Sequence, residues 1–80
     1  MALEPFFAYK DGILALSFLN FSEDNMVLNF YDNNGLVFSK EIGDKFNVTK
    51  GFDLSKLANG AYTVVLSADN KNYTYNVNVE

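Results

Sequence analysis

Apolar and polar positions alternate in short stretches along the whole chain, and no stretch keeps the three-to-four spacing of an amphipathic helix. Turn residues break the alternation at regular intervals, and the pattern predicts seven strands. The first, Phe6–Tyr9, follows the single proline, Pro5. Lys10-Asp11-Gly12 turns into the second, Ile13–Phe21, whose Leu14, Leu16 and Phe18 share a face. Ser22-Glu23-Asp24-Asn25 leads to the third, Met26–Tyr31, with Met26, Leu28 and Phe30 on one side. Asp32-Asn33-Asn34-Gly35 reads as a hairpin, because Asn-Gly tolerates positive φ at both turn positions. The fourth strand is Leu36–Ile42, and Gly43-Asp44-Lys45 turns into the fifth, Phe46–Leu54, with a bend or bulge expected near Lys50-Gly51. Ser55–Gly60 crosses to the sixth, Ala61–Ala68, and Leu57 within the crossing is placed to plug the core. After Asp69-Asn70-Lys71-Asn72 the seventh, Tyr73–Val79, alternates cleanly: Tyr73, Tyr75, Val77 and Val79 face in, Thr74, Asn76 and Asn78 face out.

Short strands with turns at such spacing form an antiparallel sandwich or a barrel. One-sided alternation favours sheets with a solvated outer face. The expected partition puts strands one, two and five in one sheet and three, four, six and seven in the other. The chain reads as one domain over residues 1–80, without linker, repeat or low-complexity tract.

Composition changes this picture in two ways. Eight Phe and five Tyr supply a dense core for a small domain, since aromatic side chains bury roughly 150–250 Å² each. No cysteine is present, so no disulfide supports it. Lys plus Arg number 6 against 10 Asp plus Glu, a net charge of −4. That balance argues against nucleic acid and anionic membrane surfaces, which need clustered basic residues. No run approaches the roughly 20 apolar residues of a membrane span.

The chemistry of catalysis is thin. With no His and no Cys the commonest general base and the best nucleophile are missing. Glu23 and Asp24 are loop neighbours, and Asp53 is expected to cap a turn. Ser17, Ser22, Ser39, Ser55 and Ser67 have no base beside them in sequence. No cofactor and no metal are expected; the oxygen-rich Asp32–Gly35 and Asp69-Asn70 segments read as turns rather than calcium loops. The acceptor triplets at Asn20, Asn47 and Asn72 read as chance matches in an Asn-rich chain.

Two segments carry a resemblance. Leu28-Asn29-Phe30-Tyr31-Asp32-Asn33-Asn34-Gly35-Leu36-Val37 ends a strand in Tyr-Asp-x-x-Gly, and Phe52-Asp53-Leu54-Ser55-Lys56-Leu57-Ala58-Asn59-Gly60-Ala61-Tyr62-Thr63-Val64 follows it. Together with the last alternating strand, they resemble small secreted or periplasmic immunoglobulin-like domains of Bacteroidota. Two groups share the pattern: a stand-alone family of unknown function, and the C-terminal sorting domains of the type IX secretion system. The chain opens with Glu4-Pro5-Phe6-Phe7 where sorting domains usually have Pro-Asn-Pro, and its last strand has no Lys or Arg. Those departures weigh toward the stand-alone family. The resemblance implies a seven-stranded antiparallel immunoglobulin-like β-sandwich and a secreted or periplasmic address; Met1-Ala2-Leu3-Glu4-Pro5 itself carries no leader pattern. The motif also has a plain physical reading: Tyr62 is placed to bury its ring and send its hydroxyl to a nearby backbone group, as in a tyrosine corner.

The function expected is therefore non-catalytic: a secreted or periplasmic module that binds or supports. A sorting-type domain and a carbohydrate-binding module are the alternatives. The candidate partner surface is the set of apolar residues assigned to outer faces, Tyr31, Val27, Phe21 and Val65, with one of Phe6 or Phe7. Its expected occupant is a protein, a glycan or a second copy of the chain.

Overall fold

The computed structural model describes residues 4–68 and 70–80. Seven strands form: β1 (Phe6–Lys10), β2 (Ile13–Leu19), β3 (Met26–Asp32), β4 (Gly35–Gly43), β5 (Asn47–Asp53), β6 (Gly60–Ala68) and β7 (Lys71–Val79). They make a three-stranded sheet, β1-β2-β5, and a four-stranded sheet, β4-β3-β6-β7, with every pairing antiparallel. This is the immunoglobulin-like sandwich and the strand partition that the alternation implied.

The inner faces carry the core. Leu14, Leu16, Phe18 and Val48 from one sheet meet Met26, Leu28, Phe30, Val64, Leu66, Val77 and Val79 from the other, all buried. Fully burying a side chain of this kind stabilises by about 1.5–3 kcal/mol. Aromatic pairs tie the sheets together. Phe30 stacks on Phe38 at 4.3 Å and meets Phe52 of the opposite sheet at 6.2 Å. On the other side Phe7 stacks on Tyr75 at 5.2 Å, and Phe18 lies 5.7 Å from Tyr73.

Three local expectations are corrected. β2 stops at Leu19 rather than running through Phe21, because Asn20 turns the chain. Its side chain is 1% exposed; Nδ2 donates to the Asp24 carbonyl at 2.9 Å, and Oδ1 accepts from the Ser22 hydroxyl at 3.3 Å. The bulge expected at Lys50-Gly51 is absent, and β5 keeps continuous register with β2. The irregularities lie in β4 instead. Phe30 pairs with Phe38 but Tyr31 with Leu36, so Val37 is an extra residue, and Ile42 is a second one between Glu41 and Gly43. Since side chains alternate with period two, the first bulge turns Leu36 to solvent although Phe38 faces the core. At the β3–β4 turn, Asn33 and Asn34 occupy the loop and the positive φ (119°) falls on Gly35, which pairs with Asp32. Asp32 Oδ1 accepts from the Asn34 amide at 2.7 Å and holds that turn.

The β1–β2 turn forms as expected, with Asp11 and Gly12 both at positive φ (53° and 81°), the conformation of a two-residue hairpin. Of the segment expected to join β6 and β7, Asp69 lies outside the described residues, and β7 begins at Lys71. In the Leu54–Gly60 crossing Leu54 is buried and Leu57 packs partly against the core. The Tyr62 hydroxyl donates to the Ala58 carbonyl at 2.7 Å, forming the tyrosine corner.

Candidate interaction surface

The four-stranded sheet turns a polar face outward, with Glu41, paired with Val27, as its charged strand residue. Alternation with buried Met26, Leu28 and Phe30 puts Val27, Asn29 and Tyr31 of β3 on it. Register then sets Asn29 beside Ser39 and Val65, Tyr31 beside Thr63, and Val27 beside Ser67. Cross-strand side-chain hydrogen bonds run from Ser39 to Asn29 (2.5 Å), Thr63 to Asn76 (3.3 Å) and Ser67 to Asn72 (2.8 Å). Val27, Tyr31 and Val65 are thus brought together, half-buried among these polar neighbours.

Phe21 is elsewhere. It sits in the β2–β3 connection, 64% exposed, with its ring edge-on to Phe46 at 5.2 Å. Phe46 belongs to the β4–β5 connection and is itself 44% exposed. The two loops are tied by the Asn20 amide, which donates to the Phe46 carbonyl at 2.6 Å. Asn20 therefore positions the aromatic pair as well as ending β2.

The pair lies past the Leu19–Asn47 end of the three-stranded sheet. On the outer face of that sheet β2 presents Ile13, Ala15, Ser17 and Leu19, since Leu14, Leu16 and Phe18 point inward. Ala15 lies between Ala8 and Gly51, and Ser17 lies beside Phe6. Phe6, 65% exposed, is the outward member of the Phe6-Phe7 pair, and Phe7 packs against the core. The result is a flat, small-residue centre bounded by Phe6, Ile13 and Leu19, with Phe21 and Phe46 beyond one end. Among the strand residues charges enter on the row Lys10–Ile13–Asp53, and Glu4, ahead of β1, lines a depression with Ser17 and Leu19. Reading the sequence for one-sided alternation missed this face. The signal was available in β2, where Ile13-Leu14-Ala15-Leu16 is apolar at every position and therefore apolar on both sides.

Asp53 Oδ1 accepts from the Ser55 amide at 2.9 Å. Hydrogen bonds from the Ser55 hydroxyl and amide, with Lys56 nearby, hold its carboxyl below the ordinary value of 3.8. Among the described residues no group of three or more His, Cys, Asp or Glu is placed to hold a metal ion. No helix among them is long and apolar enough to cross a membrane.

Comparison with known proteins gives one family. Residues 10–80 match the family model described as the secretion system C-terminal sorting domain. No curated protein matches the chain. The matched span takes in both segments that carried the resemblance, and it supports the sorting-type alternative over the stand-alone module.

Proposed function

We propose that this chain, which belongs to the secretion system C-terminal sorting domain family, is a non-catalytic address module that a type IX secretion apparatus recognises on the way out of the cell. The observation that carries the reading is the family match over residues 10–80, nearly all of the folded domain. The surface supports it. A sorting module acts by being bound, which needs an exposed apolar anchor on a rigid frame. Phe21 and Phe46 supply the anchor, and the hydrogen-bonded loops around Asn20 supply the rigidity. The anchor lies past one end of the flat outer face of β1-β2-β5.

The test is export. A leader-bearing reporter carrying this chain at its C-terminal end is expressed in a bacterium with a type IX apparatus, and reporter in the medium is measured. Delivery is expected with the native chain. The double variant Phe21→Ser/Phe46→Ser is expected to stay folded and to lose about tenfold or more of the delivery, the scale of removing a binding hot spot. Equal delivery with and without the chain would overturn the assignment; equal delivery by the double variant would overturn the surface.

A further inference from the structure

A sandwich has two long sides, and here they are built differently. Phe7 and Phe18 meet Tyr75 and Tyr73, so β7 lies over β1 and β2. Phe30 meets Phe52, so β3 and its edge neighbour β4 lie over β5. One side therefore exposes the edges of β4 and β5, the other those of β1 and β7.

The β4/β5 side is guarded. Lys40 pairs with buried Leu28 and Lys50 with buried Leu16, so each edge strand carries an inward-facing lysine at its middle. Inward charges and bulges are standard devices against strand addition, and β4 has two bulges as well. On the other side β1 is short, five residues ending in Lys10, and follows Pro5. β7 has no guard. It runs nine residues in unbroken register with β6, and from Asn72 to Val79 it contains no charge, Pro or Gly.

We propose that the open edge of β7 pairs antiparallel with β7 of a second copy about a two-fold axis, joining two four-stranded sheets into one. The strand is self-complementary. Antiparallel partners must share a face, so inward residues meet inward ones. A dyad at Tyr75 sets Tyr73 against the second copy's Val77 and Thr74 against its Asn76. The tyrosine–valine inner surface and the asparagine–threonine outer ladder both continue across the seam. The chain carries a net charge of −4, yet the seam opposes no like charges. A second copy is thus the partner whose pattern and charge are already given. The pairing does not rest on the sorting assignment, because it is read by mass and sorting by export.

The experiment is sedimentation equilibrium over a dilution series, on the native chain and on two variants with outward, exposed substitutions, Thr74→Lys/Asn76→Lys and Thr74→Glu/Asn76→Glu. The native chain is expected to be a dimer that dissociates on dilution. Each variant opposes two like-charge pairs across the seam, and its dissociation constant is expected to rise by about tenfold or more. Mixing the two variants is expected to give a heterodimer, since every pair is then opposite in charge. Circular dichroism checks the fold; should a double variant unfold, mixtures of single variants serve in its place, Thr74→Lys with Asn76→Glu expected to favour the heterodimer and Thr74→Lys with Asn76→Lys to disfavour it. A native chain that is monomeric throughout overturns the proposal, as does a dimer that the like-charge variants leave unchanged. An assembly growing beyond two copies overturns the two-fold arrangement.

Discussion

Asn20 and Tyr62 each tie a connection to the frame through one buried or nearly buried polar contact. Asn20 is enclosed, and both ends of its amide are used within the loop it closes. Asn20→Ala leaves the Asp24 carbonyl without its donor, which costs about 1–3 kcal/mol. In a domain this size 1 kcal/mol lowers the melting temperature by roughly 4–8 °C, so thermal unfolding resolves the effect. The NMR signature of Phe21 is expected to change as well, because the side-chain bonds that close its loop are lost while the backbone bond from residue 20 to Phe46 remains. Tyr62→Phe removes the hydroxyl bond to Ala58 and is expected to cost about 0.5–1.5 kcal/mol in urea unfolding, with the ring still filling its site. Asp53 adds a pH dependence. Its folded-state carboxyl sits below the ordinary value of 3.8, so its contribution is complete at neutral pH. That contribution is lost only as pH falls through the folded value, where the unfolded chain binds its proton more readily. Normalised to its neutral plateau, Asp53→Ala is therefore expected to lose less stability on acidification, its acid limb shallower and displaced to lower pH, whereas removing a carboxyl without partners would leave the limb in place.

Among the elements, the edges decide how the sandwich behaves toward other chains. Lys40 and Lys50 keep the β4 and β5 edges from accepting a strand. The double variant Lys40→Thr/Lys50→Thr is expected to keep or raise the melting temperature while light scattering shows association beyond that of the native chain. Gly51 tests a different point. An added Cβ would meet the Ile13 side chain at 3.4 Å, an ordinary contact, and the residue lies in a regular part of β5. Gly51→Ala is thus expected to stabilise by about 0.5–1 kcal/mol, the entropy that glycine loses in a strand interior. A true bulge at that position would have given the opposite sign. This marks where the sequence was legible. Strands, sheets and the Tyr62 corner follow from period-two alternation and turn chemistry, which act locally. The bulges at Val37 and Ile42 do not, because a bulge depends on the length mismatch between two strands and leaves no fixed residue type behind. The apolar outer face was half legible: β2 announced a two-sided strand, but which loop aromatics would meet beyond its end depended on the Asn20–Phe46 contact between residues distant in sequence. Phe21 was identified as exposed, and its partner Phe46 was placed inside a strand that in fact begins at Asn47.

For the whole molecule the question is what holds two sheets together without a disulfide. Only side-chain contacts span the gap between the inner faces. Phe30 stands at their centre, fully buried, stacked on Phe38 and edge-on to Phe52. Truncating such a residue costs about 3–5 kcal/mol, and natural domains of this length have roughly 0.05–0.15 kcal/mol per residue to lose. The loss is comparable to the whole margin. Phe30→Ala is accordingly expected to unfold the domain or to leave it melting near ambient temperature in circular dichroism. Phe30→Leu, which keeps most of the volume, is expected to fold with a lower midpoint. The outlying pair Phe7–Tyr75 holds one side of the sandwich rather than its centre, and Phe7 is only partly buried. Phe7→Ala is thus expected to cost clearly less than Phe30→Ala, and to loosen the side where β7 is open. If cohesion were spread evenly over the aromatic pairs, the two truncations would cost alike. Ranking them by urea midpoint separates a centrally clamped sandwich from an evenly glued one.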